Sequence, residues 1–275
     1  AKVQLPALPK PDRYEIDLEL VQDGESLARC GFAGTHLVVR SERLGNPTAS
    51  MTVGIPGEFG RFVFAIPQPD GLSYVGLTDL ETESLQPDPP EPTPDELAWL
   101  RERISAALAL PLRAEDVIGT YSGLRPLVSD AHAMTADISR KHLVARQPNG
   151  VIAVTGGKLT TYRQMAQDAV DLISAAPCPT PDIALVGAPG DSRSRDRLVR
   201  RFGDEAAILQ EMIDREPALG ARLEPTAARG VEVTWARAAE GALTPEEAAD
   251  TRLRVTLVDE QREQALAGVR AAWGS

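Results

Sequence analysis

"VTGGKLTTYRQMAQDAVDLI", residues 154–173, sets an apolar strand end, two glycines, a lysine and three threonines directly against a long helical pattern. Backbone N–H groups at a helix start, reinforced by a lysine, suit an anion such as a phosphate or a negatively charged cofactor ring. Gly and Thr also open helices for purely local reasons of chain reversal and capping. The stretch is not a P-loop, because G-x-x-x-x-G-K-[ST] is not met. On this stretch alone both readings stay open, and a helix is expected from about Thr161 to Ala175.

Working outward, the chain upstream is rich in strands. "HLVARQPNGVIAVT" reads as two strands around a turn at Asn149-Gly150, and "DVIGTYSGLRPLV" as another. "GTHLVVR", "RFVFAIPQ" and "SYVGLTD" are short β-rich runs, with a turn expected at Asp70-Gly71. "YEIDLEL" alternates Tyr14, Ile16, Leu18 and Leu20 with acids, and Asp23-Gly24 follows as a turn signal. Such runs, separated by Gly, Pro and Asp, predict an antiparallel sheet rather than alternating βαβ units. Between Pro87 and Pro94 stand five prolines, after which Thr93 caps and Pro94 begins a helix with Leu97, Leu100, Ile104, Ala107 and Leu108 on one face.

Downstream, "APCPTPDIALVGAPG" (176–190) reads as a linker. "SRSRDRLVRRFGDEAAILQEMIDR", "VEVTWARAAEGA" and "TPEEAADTRLRVTLVDEQREQALAGVRAAW" then read as helices, the last capped by Thr244 with Pro245 in its first turn. The expected fold class is therefore α+β: a leader over 1–30, an antiparallel-sheet domain over 31–175, a linker over 176–190 and a small all-helical domain over 191–275.

At 275 residues and 43% hydrophobic content the chain can build substantial cores. Its net charge of −11 repels phosphate backbones, so no nucleic-acid partner is expected without a local basic patch. Cys30 and Cys178 have neither C-x-x-C spacing nor a nearby His, so a disulfide framework and a metal site are not expected. The first twenty residues lack a signal-peptide core and no run of eighteen apolar residues occurs, which makes a reducing cytoplasmic compartment the default.

Four places carry the candidate chemistry. His36, inside a strand, is either a packed residue or a proton acceptor, while His132 and His142 read as surface residues. Arg125 in "SGLRP" is held between Gly123 and Pro126; it can offer a fork to a phosphate or carboxylate, or bridge loop carbonyls. Lys158 follows Gly156-Gly157 and precedes Leu159, Thr160 and Thr161. Arg193, Arg197, Arg200 and Arg201 lie near one helix face, to meet anionic lipid or an acidic partner, or simply as a solvated face paired with local acids.

Taken together, "GTHLVV", "YSGLRPLVSD" and "VTGGKLTTYRQMAQDAVD", in this order and with "DPPEPTPDEL" between the first two, resemble the carboxy-terminal half of the FAD-dependent, quinone-linked glycerol-3-phosphate dehydrogenases. The likeness runs from about Gly34 to Ala175 and resumes in "ARAAEGALTPEEAADTRLR". It implies oxidation of sn-glycerol 3-phosphate to dihydroxyacetone phosphate, with hydride passing to FAD and electrons to quinone. It implies that 31–175 is a substrate-binding cap domain, with His36, Arg125 and Lys158 as catalytic and substrate-binding residues. Gly156, Gly157, Lys158, Leu159, Thr160 and Thr161 would lie against the flavin.

Two departures stand out: the K-G-x-H lysine of the family is Ala33 here, and no G-x-G occurs, so the Rossmann half that grips the dinucleotide end of FAD is expected to be missing. The implied partners are glycerol 3-phosphate, quinone, and a homodimer mate or a complementing FAD-domain chain. The implied location is cytoplasmic, peripheral at the inner face of the membrane. Tight FAD binding is not expected of this chain alone. The alternative function is a non-catalytic phosphate-ligand-binding or assembly module derived from the same enzyme.

Overall fold

The computed structural model describes residues 21–22, 25–26, 29–58, 60–78, 80–82, 90–128, 142–188, 190–191 and 193–274. The expected strand over 14–20 lies outside them, as does His132. The first two strands, β1 (Val21–Gln22) and β2 (Glu25–Ser26), pair antiparallel across the expected Asp23-Gly24 turn, whose two residues also lie outside the described set.

The main sheet is built around β3 (Arg29–Arg40), which takes in "GTHLVVR". One edge of β3 runs antiparallel along β8 (Val117–Val128), from Arg29↔Val128 to Val39↔Val117, with a register shift between Val38 and Val39. Its other edge pairs first with β7 (Leu80–Thr82) and then with β6 (Leu72–Gly76). Beyond β6 lie β5 (Phe62–Pro67) and β4 (Met51–Gly54), giving the order β4-β5-β6-β3 with β7 and β8 also on β3. The β5–β6 reversal closes at Asp70-Gly71, where Gln68 N–H donates to Leu72 O at 2.7 Å and Asp70 Oδ1 accepts from Leu72 N–H at 3.3 Å. A second hairpin, β9 (His142–Arg146) with β10 (Ile152–Gly156), turns at Asn149-Gly150 and lies against β8.

Alternation along β3 sends its side chains to two cores. Leu37 and Val39 join Val63, Ala65 and Val75 beneath the helix α1 (Pro94–Ser105), whose Leu100 and Ile104 are fully buried. Each such side chain removed from water contributes about 1.5–3 kcal/mol. Thr93 caps α1 reciprocally with Glu96, as the Thr-x-x-Glu spacing dictates. Ala107, expected on the buried face, is exposed because the helix ends at Ser105. On the other face Val38, Leu72 and Tyr74 meet Val258 of the tail, with Ile118, Tyr121 and Leu257 packed around them.

After β10 comes α2 (Tyr162–Asp171), shorter at its end than the expected 161–175, and then a segment with one short turn at Thr180–Asp182. The tail holds α3 (Arg197–Phe202), α4 (Ala206–Arg215), α5 (Gly230–Ala238), α6 (Pro245–Glu247) and α7 (Arg262–Trp273). Thr244 caps α6 as expected, its Oγ1 accepting from Glu247 N–H at 3.1 Å. The stretch 244–273 is not one helix. It passes through a π-helical turn, Ala248–Leu253, and breaks at Arg254, whose φ of 52° is left-handed. The sheet, the helix on one face and the helical tail on the other make the fold α+β, as the sequence predicts.

Candidate functional site

His36 stands on the middle strand of the sheet, opposite Gly76 on one side and Tyr121 on the other. Its ring stacks on Tyr121, with centroids 4.6 Å apart and planes within 6°. The edge carrying Cδ2 and Nε2 lies over Gly76, where an added Cβ would come within 2.2 Å and 2.6 Å of those atoms. The ring is thus held between a stacked tyrosine and a bare backbone. Tyr121 in turn meets Tyr74 edge-on at 5.5 Å. Burial, then the neighbouring Tyr74, pushes the Tyr121 phenol up to about 12, so it stays protonated at neutral pH.

Beside His36, Thr35 is locked from three directions. Its N–H donates to Thr78 Oγ1 at 3.0 Å, its hydroxyl donates to Glu96 Oε1 at 2.8 Å, and it accepts from Ser122 Oγ at 2.6 Å. Thr78 also donates to Glu96 Oε1, at 2.7 Å, while Glu96 Oε2 accepts from the Thr93 N–H and hydroxyl at 2.9 Å each. One buried carboxylate from α1 therefore fixes the backbone next to His36. Burial alone would raise the Glu96 carboxyl, but hydrogen bonds from Thr78, Thr93 and Thr35 outweigh it and hold it below its ordinary value. The capping spacing flags one oxygen of Glu96. Nothing in the sequence flags the other, or the hydroxyls of Thr78 and Ser122 that meet at Thr35.

The Gly156–Thr161 turn takes the shape that two glycines permit. Gly156 and Gly157 have φ of 70° and 77°, and at Gly157 a Cβ would meet Met165 Sδ at 2.6 Å. Lys158 is extended and exposed, with its N–H on Thr161 Oγ1 at 3.2 Å; Thr160 and Thr161 are exposed, and Leu159 is 88% exposed. An apolar side chain and a cation presented together beside bare backbone fit a flat, partly anionic ring such as a flavin's isoalloxazine. Next to this turn His142, expected at the surface, is only 22% exposed and pairs with Asp168 of α2 at 2.5 Å. It clips the hairpin to the helix.

Arg125 lies on β8 opposite Phe32, four residues beyond Tyr121; its side chain lies outside the described set. The structure thus brings His36 onto Tyr121, and sets the strand of Gly156 against the strand of Tyr121 and Arg125. Of the arginine cluster, Arg193 precedes α3 and is exposed, but the arginines on the helix do not form a solvated face. Arg197 and Arg201 turn inward to Glu232 of α5, which is fully buried, with Arg197 Nε at 2.8 Å and Arg201 Nε at 3.5 Å from its oxygens. No group of three or more His, Cys, Asp or Glu among the described residues could hold a metal. No helix among them is long and apolar enough to cross a membrane.

The family model for FAD dependent oxidoreductases matches residues 19–163, which reach from β1 into α2. Glycerol-3-phosphate dehydrogenase 1 of Mycobacterium tuberculosis is 39% identical over 257 residues, covering 85% of this chain and 49% of that protein. Glycerol-3-phosphate dehydrogenase 2 of the same organism is 32% identical over 253 residues, covering 82% and 41%. The chain therefore spans about half the length of the curated relatives it matches. Among solved structures, the glycerol-3-phosphate dehydrogenase from Bacillus halodurans complexed with FAD superposes with a TM-score of 0.64 at 21% identity, over 90% of this chain and 53% of that one. The shared fold includes both the sheet and the tail, and the chain belongs to the FAD dependent oxidoreductase family.

Proposed function

We propose that the chain is the substrate-binding half of an FAD-dependent glycerol-3-phosphate dehydrogenase, which oxidises sn-glycerol 3-phosphate to dihydroxyacetone phosphate and passes electrons to quinone. The observation that carries this reading is the 39% identity over 257 residues to a protein of that name, which extends across sheet and tail alike. When bound, FAD would accept the two electrons leaving the substrate C2 as a hydride. The chain's own residues do the rest. His36, its ring fixed by Tyr121 and Gly76, takes the hydroxyl proton as C2 is oxidised. Lys158 and Arg125 oppose the substrate phosphate and the negative charge growing on the reacting oxygen.

Gly156, Gly157, Lys158, Leu159, Thr160 and Thr161 would lie against the flavin ring. Contacts to the isoalloxazine end alone would hold FAD weakly, too weakly for this stretch of chain to turn over by itself. The assembled enzyme, as a homodimer or with a complementing FAD-domain chain, would work in the cytoplasm, at the inner membrane face where quinone is reached.

The test is thermal protection by glycerol 3-phosphate, followed by dye reduction with FAD and an artificial acceptor. Protection of this chain that is lost in Arg125→Ala supports the phosphate assignment; protection unchanged in that variant refutes it. Dye reduction by the assembled protein that survives His36→Ala would remove the histidine from the reaction.

A further inference from the structure

Between the β5–β6 turn and the helical tail lies a cleft of about 830 Å³ lined by seven arginines against two acids, Asp70 and Glu240. Its volume is that of a small-molecule site. Arg40 comes from the end of β3, Arg200 and Arg201 from α3 together with Arg197, and Arg252 and Arg254 from the π-helical turn and the residue after it. Some of this charge is spoken for: Glu232 holds Arg197 and Arg201, Arg252 Nε donates to Glu240 O at 2.8 Å, and the seventh, Arg222, donates to Thr226 O at 3.1 Å. Arg40, Arg200 and Arg254 have no carboxylate partner among the described residues. Tyr74, Leu72 and Val258 give the cleft an apolar wall.

Two further observations point to a ligand. Arg200 Nε is buried without a hydrogen-bond partner, and the Arg200 side chain lines the cleft with no carboxylate among the described residues to answer its charge. Arg254 holds a left-handed backbone, φ 52° and ψ 43°, at the end of a π-helical turn, where glycine or asparagine is the usual occupant. π turns and strained non-glycine residues gather at functional sites. Neither His36 nor Lys158 lines this cleft.

We propose that the cleft binds a soluble small molecule carrying two or more phosphoryl groups, clamped between the sheet and the tail. Guanidinium forks match phosphate oxygens in pairs, and three arginines lacking acids call for more charge than one phosphate monoester supplies.

Calorimetric titration of the full chain with inorganic triphosphate, in phosphate-free buffer at about 0.15 M salt, tests this at an ionic strength that screens exposed charges beyond roughly 8 Å. The expected result is one-to-one binding, weakened at least about tenfold in the double variant Arg200→Gln/Arg254→Gln and also in Arg40→Gln, with Arg193→Gln, exposed and outside the cleft, unchanged. Thermal melts of each variant establish that it is folded; Arg40→Gln, at an exposed strand end, serves if the double variant is not. No binding at millimolar triphosphate overturns the proposal. So does equal loss in Arg193→Gln, equally tight binding of inorganic monophosphate, or binding confined to phosphatidylglycerol vesicles.

Discussion

The His36 ring occupies the space that a side chain on Gly76 would fill, so the two residues are one feature written in two places. Gly76→Ala would drive a methyl into the Cδ2–Nε2 edge of the ring and force it off Tyr121. Overpacking of this kind costs about 1–3 kcal/mol, and a guanidinium titration should show it. If His36 takes the substrate proton, turnover of the assembled enzyme falls with it; a variant of unchanged stability and unchanged turnover would contradict the close approach. The imidazole itself was legible as a strand histidine. Its partner was not, because a glycine opposite it in register is a property of pairing, which a linear reading of "SYVGLTD" does not contain.

Glu96 carries a second consequence at this scale, through pH. Its carboxyl is held below its ordinary value in the folded chain, and Asp116, paired by both oxygens with Arg43 at 2.6 and 2.7 Å, is lowered to about 2. A carboxyl whose folded value is depressed stabilises the fold at pH above its unfolded value of about 4, and that contribution drains away as pH falls through the folded value. Thermal midpoints measured from pH 7 to pH 2 should therefore be flat above about 5 and drop below about 4. Glu96→Ala should flatten part of that drop. It should also cost about 1–3 kcal/mol for each buried donor it leaves unmet, the hydroxyls of Thr35 and Thr78.

At the scale of elements, helices that the sequence announced clearly owe their certainty to local chemistry. Thr93, Pro94 and Glu96 begin α1 whatever surrounds them, and Thr244 with Pro245 begins α6. The end of a helix is a different matter: the periodic pattern of 244–273 continues past Arg254, yet the chain breaks there to bring Leu257 and Val258 onto the sheet. Tertiary contact overrides propensity. The arginine cluster misleads for the same reason, since Glu232, which turns Arg197 and Arg201 inward, lies on another helix. Removing it should be costly. Glu232→Ala would strand two guanidinium groups and the Arg229 N–H, and breaking such a buried pair costs about 3–5 kcal/mol. Replacing the pair by apolar groups, Glu232→Leu with Arg197→Met, should recover part of that loss in the same denaturation experiment.

For the whole molecule, the decisive contact is the seating of the tail on the sheet face opposite α1. Gly119, beside the register shift in β8, admits the Leu257 carbonyl so closely that a Cβ there would stand 1.8 Å from its oxygen. Neither partner can yield, because the obstacle is backbone on one side and a paired strand on the other. Gly119→Ala should therefore lift the 254–258 segment from Val38, Leu72 and Tyr74, at a cost at or above the roughly 3 kcal/mol upper range for overpacking. The α1 face, whose core of Leu37, Val39, Leu100 and Ile104 does not include the tail, should hold. Hydrogen exchange separates the two outcomes: amides of β5 and β6 stay protected while those from Val255 to Trp273 exchange faster. Uniform acceleration across β3, β5 and α1 would mean that sheet and tail unfold as one unit, and that the tail is part of the sheet's own core.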